Sequence, residues 1–259
     1  MTREVIRSIK NSVVQRARAA LAGRVDGVVV LEGERLIGDA RASGLELETL
    51  LVADDREALC EELEQADLPV VSVARDVLDR VSRLTTSPGT LALAKTPSSA
   101  PLDELARDPS ALLLVVCGLQ NPGNLGALAR SAEAAGATGI VVLPGGASPW
   151  NEKALRGSMG SLLRLPVHFA AGASELAADL VRRQVRCIAC ATRGGTSIRT
   201  FDFDGRIAFW LGAETGELPG VASEFERVSI PMQGGVESLN ATVAGSLVLF
   251  AAGRVEEDA

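Results

Sequence analysis

The sequence predicts an α/β protein built as two successive units of alternating strands and helices. Three observations carry that expectation. Short apolar runs recur along the chain, amphipathic stretches at helical spacing separate them, and a Pro- and Ser-containing stretch at residues 95–101 divides the series. At 259 residues and 47% hydrophobic, the chain can bury one large core or two modest ones.

Residues 1–24 carry Arg3, Arg7, Lys10, Arg16, Arg18 and Arg24 against Glu4 alone, a local charge of plus 5 in a chain whose net charge is −7. They read as a basic N-terminal arm, with a solvated helix face as the plainer alternative. Residues 25–96 follow as a small α/β domain. Its expected elements are a strand at 27–31, a helix at 33–43, a strand at 47–52, a charged amphipathic helix at 57–66 and a strand at 69–73. A helix at 75–84, with Val77, Leu78 and Val81 on one face, leads through a turn at 85–89 to a strand at 90–94. Residues 97–104 read as a linker.

The second domain, 105–259, opens with a continuous apolar run at 111–118, of the kind found in parallel sheets covered on both faces. Helices are expected at 125–135, 151–163, 174–184 and 238–252, and strands at 139–143, 166–170, 186–191, 207–212 and 227–231.

Composition removes several classes. The longest apolar runs, 27–31 and 111–117, fall far below the roughly 20 residues of a membrane-spanning helix, so no membrane segment is expected. The first 24 residues lack the apolar block of a secretory signal, which implies a cytoplasmic location. Four cysteines are too few for a disulfide framework. Cys187 and Cys190 form a CxxC inside a strand-like run, and His168 is the only histidine, so no metal is expected. With no Tyr and 3% aromatics, the chain lacks the stacking platforms of many single-strand RNA binders. Any grip on nucleic acid must be electrostatic and shape-based.

Three segments at strand ends are placed to carry chemistry. Asn121-Pro-Gly-Asn-Leu-Gly-Ala-Leu-Ala-Arg130 follows the first strand of the second domain, with Asn124 expected as helix N-cap and Arg130 on a buried face, facing an anion or a carboxylate. Leu211-Gly-Ala-Glu-Thr-Gly-Glu-Leu-Pro219 runs from a strand into a Gly-containing loop. Ile230-Pro-Met-Gln-Gly-Gly-Val-Glu-Ser-Leu-Asn240 ends at a helix start that Ser238 or Asn240 caps, where polar side chains can orient a charged ligand. No two glycines stand as Gly-x-Gly, and no Gly-Lys-Ser/Thr loop occurs, which disfavours dinucleotide and P-loop enzymes.

These segments, in this order, resemble the three motifs of the SpoU, or TrmH-like, RNA methyltransferases of the SPOUT superfamily. Residues 121–130 resemble motif 1, Leu211-Gly-Ala-Glu214 motif 2, and Ile230-Pro-Met232 with Glu237-Ser-Leu-Asn240 motif 3. Lys153-Ala-Leu-Arg-Gly-Ser-Met-Gly-Ser-Leu-Leu-Arg-Leu-Pro166 resembles the family between motifs 1 and 2. Val30-Leu-Glu-Gly33 and Ser87-Pro-Gly89 look like landmarks of the family's L30e-like substrate-binding domain. Two stretches depart from the pattern: Asn240-Ala-Thr242 stands where motif 3 continues Val-Ser, and Glu214-Thr-Gly-Glu where motif 2 reads Glu-Gly-x-Gly.

The resemblance implies a homodimer whose SPOUT domain has a deep trefoil knot, using S-adenosyl-L-methionine to methylate an RNA ribose 2'-hydroxyl. It implies Gly212, Ile230, Leu239, Cys190 and Thr192 at the cofactor. It also implies Arg130 as the catalytic arginine, surrounded by Asn124, Glu214, Ser238 and Asn240, with Arg130 and Arg156 on RNA. The L30e-like extension favours large-subunit (23S) rRNA over tRNA as substrate. A non-catalytic RNA-binding or ribosome-assembly protein on the same fold, and an unrelated nucleotide-using α/β enzyme, are the alternatives.

Overall fold

The computed structural model describes residues 4–212 and 218–253, which divide into two compact units. The first comprises residues up to Pro97 together with Trp150–Arg156, and the second Ser98–Pro149 with the residues from Gly157 onward.

In the first unit, β1 (Val5–Ile6), α1 (Ser12–Leu21), β2 (Val28–Glu32), α2 (Glu34–Ala42), β3 (Leu47–Ala53), α3 (Glu57–Gln65), β4 (Val70–Val73), α4 (Arg75–Asp79) and β5 (Thr90–Lys95) follow in chain order. The sheet order is β1-β4-β3-β5-β2. β1 and β3 run parallel to β4, and β5 runs antiparallel to both β3 and β2. The expected basic arm is therefore part of this unit. Ile6 pairs with Val73 at the sheet edge, and α1 buries Val14, Ala17, Ala20 and Leu21 in the same core as Leu51, Val73 and Leu78. Those apolar positions at helical spacing hold α1 down while its arginines face outward.

The helix expected at 75–84 ends at Asp79. Ser82 explains the stop: its hydroxyl accepts from the Leu84 amide at 3.1 Å and donates to Glu32 at 3.3 Å, local bonds that compete with a further helical turn.

The second unit contains α5 (Leu102–Leu105), β6 (Leu112–Cys117), α6 (Pro122–Ala134), β7 (Gly139–Val142), α7 (Glu152–Gly157), α8 (Ser161–Arg164), β8 (Val167–Phe169), α9 (Ala173–Arg182), β9 (Arg186–Ala191), β10 (Thr196–Ser197), β11 (Ile207–Gly212), β12 (Glu226–Ser229) and α10 (Ala241–Ala251); α7 itself falls mostly in the first unit's segment. The seven strands run parallel in the order β10-β12-β9-β11-β6-β7-β8. Strands β6 and β11 are buried along their whole length, as their apolar runs require of central strands with both faces covered. Burying a side chain as large as Trp210 or Phe209 contributes about 1.5–3 kcal/mol each.

Three expectations are corrected here. Part of the supposed linker, residues 97–104, lies within α5, whose Leu102 and Leu105 are buried in the second unit's core. The single helix expected at 151–163 is two, broken where Met159 (φ 51°) and Gly160 (φ 87°) enter the left-handed region. The last helix begins at Ala241 rather than at residue 238.

Candidate cofactor cleft and active site

Strands β9, β11 and β12 end side by side on the C-terminal edge of the second sheet, where ligands collect in open parallel sheets. A cleft opens there, with about 610 Å³ of space measured out to its mouth, a size suited to a small molecule. Cys190, Gly212 and Val228 line it from the strands, Thr192 and Ile230 from the residues just beyond them. Ser238 and Leu239 line it from the loop before α10, and Ala241, Ala244 and Val248 from the helix itself. Gly212, Ile230, Leu239, Cys190 and Thr192, singled out in separate sequence segments, thus meet at one cleft. Sequence reasoning passed over Met232, Val228 and the α10 alanines, because apolar residues carry no signal that separates a cleft wall from core.

The CxxC lies in β9, where residues three apart point to opposite faces. Cys187 enters the core and Cys190 faces the cleft. Burial pushes the Cys190 thiol up to about 12, so it stands as a neutral, weakly polar wall. Among the described residues no cluster of three or more His, Cys, Asp or Glu side chains gathers as a metal site.

Two helix starts frame the site. Asn240 caps α10, its Oδ1 accepting from the amides of Thr242 at 2.9 Å and Val243 at 3.4 Å. At α6 the cap is Asn121 rather than the expected Asn124: its Oδ1 accepts from Gly123 at 2.8 Å and Asn124 at 3.4 Å. Pro122 decides this, since its fixed φ and missing N–H suit the first helical position and draw the helix start forward. Asn124 is left in the first turn, where its carbonyl accepts from the Thr242 hydroxyl at 3.3 Å. One turn on, the Ser246 hydroxyl donates to Ser131 at 2.7 Å, so α6 and α10 are pinned together along their lengths.

Arg130 is exposed, not on the buried face expected of it. Leu125, Leu128, Ala129 and Ala132 make the buried stripe of α6, and Arg130 projects from the opposite side. Among the described residues it has no ion-pair partner, which sets it apart from Arg164 and Arg186, each paired with a glutamate. Arg156 lies in the first unit, with its Nη1 2.7 Å from Glu152 on the preceding helical turn. Glu214 lies outside the described residues.

Arg186 was not anticipated. Its guanidinium donates to both Glu226 oxygens, at 3.0 and 2.9 Å, and to the carbonyls of Asp202 and Asp204 at 3.2 and 3.0 Å. The neighbouring guanidinium holds the Glu226 carboxyl below its usual range. The clamp ties the start of β9 to the start of β12 and to the loop before β11. No local pattern could show it, because the partners stand forty residues apart in sequence.

Comparison with known proteins agrees with this geometry. The profile of the SpoU rRNA Methylase family matches residues 111–250, and that of the MRM3-like substrate binding domain matches 23–92. An uncharacterized tRNA/rRNA methyltransferase of Mycobacterium ulcerans is 31% identical over 253 residues, covering 93% of this chain and 81% of its own. A 23S rRNA (guanosine-2'-O-)-methyltransferase of Bordetella pertussis is 31% identical over 195 residues, 73% of this chain and 80% of its own. Among solved structures, the SpoU methyltransferase AviRb of Streptomyces viridochromogenes, in complex with AdoMet, superposes with a TM-score of 0.83 at 27% identity, covering 94% of this chain and 97% of its own. The chain belongs to the SpoU rRNA methylase family.

Proposed function

We propose that this protein transfers a methyl group from S-adenosyl-L-methionine to a ribose 2'-hydroxyl of large-subunit rRNA. The observation that carries the reading is the convergence of Cys190, Thr192, Gly212, Ile230 and Leu239 on one cleft at the strand ends. The cleft fits the cofactor by its chemistry. Small apolar side chains such as Ala244 and Val248 leave room for a flat ring, and the hydroxyls of Thr192 and Ser238 supply polar partners. When bound, the sulfonium supplies an electrophilic methyl.

The remaining work belongs to the chain. A ribose hydroxyl is a weak nucleophile, so it must be held in line and its developing negative charge stabilised. Arg130 keeps its charge at neutral pH, which excludes it as a base. Its guanidinium, exposed and unpaired among the described residues, is suited to fix the target phosphate and stabilise the alkoxide, while the phosphate or a water accepts the proton. Asn240 caps α10, the Asn124 carbonyl accepts from Thr242 and so ties α6 to α10, Ser238 lines the cleft, Glu214 is assigned a catalytic role beside that of Arg130, and Arg156 is assigned to RNA.

Val243, Leu247 and Phe250 form one exposed apolar stripe on α10, and a second copy of the chain covers it in a homodimer. The SPOUT arrangement brings with it a trefoil knot formed by the segments around β11 and β12. Among the described residues no helix is long and apolar enough to cross a membrane, which suits a cytoplasmic enzyme. The 23S rRNA activity named for the Bordetella relative favours rRNA, and tRNA is the second substrate class. The test is transfer of tritiated methyl into rRNA and, separately, tRNA by wild type and Arg130→Ala. Label in rRNA that the variant abolishes is expected. Label confined to tRNA reassigns the substrate, and none in either pool, with cofactor bound, favours a non-catalytic assembly role.

A further inference from the structure

The first unit carries a second, differently built surface. Between α1 and the turn that follows α4 lies a broad open groove, lined by Arg16, Arg18, Arg24, Arg80 and Arg83. Five guanidinium groups around one groove are unexpected in a chain of net charge −7. Two are partly neutralised. Arg16 donates to Glu48 at 2.5 Å, and Arg80 stands 3.5 Å from Asp76. Arg18, Arg24 and Arg83 are exposed, and their side chains have no partner among the described residues. Arg75 and Arg56 of this same unit are by contrast paired, with Asp55 and Glu34.

Local structure fixes the charges in place. Val14, Ala17 and Leu21 anchor α1 in the core, which turns Arg18 outward. On the facing side, Glu32 receives the Ser82 hydroxyl and the backbone N–H of Arg83, so the turn that presents Arg83 is tied to β2. The groove contains no aromatic side chain and its lining is otherwise Gln15, Ser82 and small apolar residues. Such a surface cannot stack bases, but it can neutralise phosphates.

We propose that this groove is a docking surface for the sugar-phosphate backbone of structured, base-paired RNA, and that it grips substrate independently of the cofactor cleft. The proposal rests on the RNA-substrate reading above. It adds which surface holds the RNA and by what chemistry. Half of the groove comes from α1, which precedes the matched substrate-binding profile at 23–92, so the surface is a feature of this chain rather than of that match alone. Electrostatic contacts of this kind carry little sequence information: they position the duplex, and discrimination falls to other contacts.

The experiment compares the full chain with Arg18→Ala/Arg24→Ala/Arg83→Ala and with the corresponding triple lysine variant. Binding to a 23S rRNA transcript and to an RNA duplex of unrelated sequence is measured across a salt series, and AdoMet binding is measured by calorimetry. All three positions are exposed, so folding is expected to survive; an unchanged urea midpoint verifies the first unit and unchanged AdoMet affinity the second. The alanine variant is expected to bind both RNAs at least about tenfold more weakly, and its log–log salt slope to fall by about 2 to 3. The lysine variant is expected to keep most of the affinity. In methyl transfer the loss is expected in KM for RNA with kcat largely retained. Unchanged RNA affinity and salt slope in the alanine variant overturn the groove while leaving the methyltransferase reading intact, and so does a loss of affinity without a change of slope. Failure of the wild-type protein to bind either RNA removes the RNA reading itself, and the groove with it.

Discussion

Arg130 is the residue on which the proposed chemistry turns, because its guanidinium is both exposed and unpaired among the described residues. Arg130→Lys keeps the charge but loses the planar fork, and kcat is expected to fall roughly 100-fold with AdoMet affinity unchanged. Full turnover in that variant excludes the role. A second prediction concerns Glu32. Burial raises its carboxyl above the usual range, and its Oε1 is buried without a hydrogen-bond partner. Because the folded value lies above the unfolded one, the contribution to stability is present below the ordinary carboxylate pKa and is lost as pH rises through the raised value. Glu32→Gln removes the penalty on the charged form. Its urea midpoint is expected to fall less than that of wild type as pH rises above the ordinary carboxylate range; parallel pH profiles contradict this. At this scale the motif residues were legible as types but not always as geometry. Asn124 yielded the cap to Asn121 because Pro122 fixes the helix start, and Arg130 proved to lie opposite the buried stripe.

Among the elements, the long apolar strands β6, β9 and β11 were readable from sequence, since a buried parallel strand demands an uninterrupted run. The two-residue strands β1 and β10 were not, because so short a pairing has no period to detect and exists only through its partners β4 and β12. Gly195 shows how tightly the second of these is set. It sits at φ +89° just before β10, and a Cβ there would fall 2.5 Å from the Arg227 carbonyl oxygen. Gly195→Ala is expected to cost about 1–3 kcal/mol, read as a lower urea midpoint at unchanged m. A midpoint equal to wild type would show that the β10–β12 pairing tolerates the shift. Asn240→Ala removes both cap bonds of α10 and is expected to cost about 1 kcal/mol while weakening AdoMet binding, because Leu239 and Ala241 line the cleft on either side of the cap.

On the scale of the whole molecule, the α/β class followed from alternation of strands and helices. The cofactor, by contrast, was legible only through resemblance to a family: the cleft is lined largely by apolar residues, which leave no local chemical signature. The clamp of Arg186 on Glu226 and the groove of α1 were illegible for a different reason, as each joins positions far apart in sequence. The exposed stripe on α10 leads to an expectation about assembly. Leu247→Glu places a charge in its centre and is expected to shift the sedimenting species from dimer to monomer, whereas an unchanged sedimentation coefficient assigns the dimer contact to another surface. The central claim, transfer of a methyl group to a ribose oxygen, is tested most directly by the chemical position of that methyl. RNA treated with the protein and S-adenosyl-L-methionine is digested to nucleosides and analysed by mass spectrometry. The expected product is a 2'-O-methylnucleoside that Arg130→Ala fails to form; methyl on a base, or none on rRNA that binds the protein, contradicts the account.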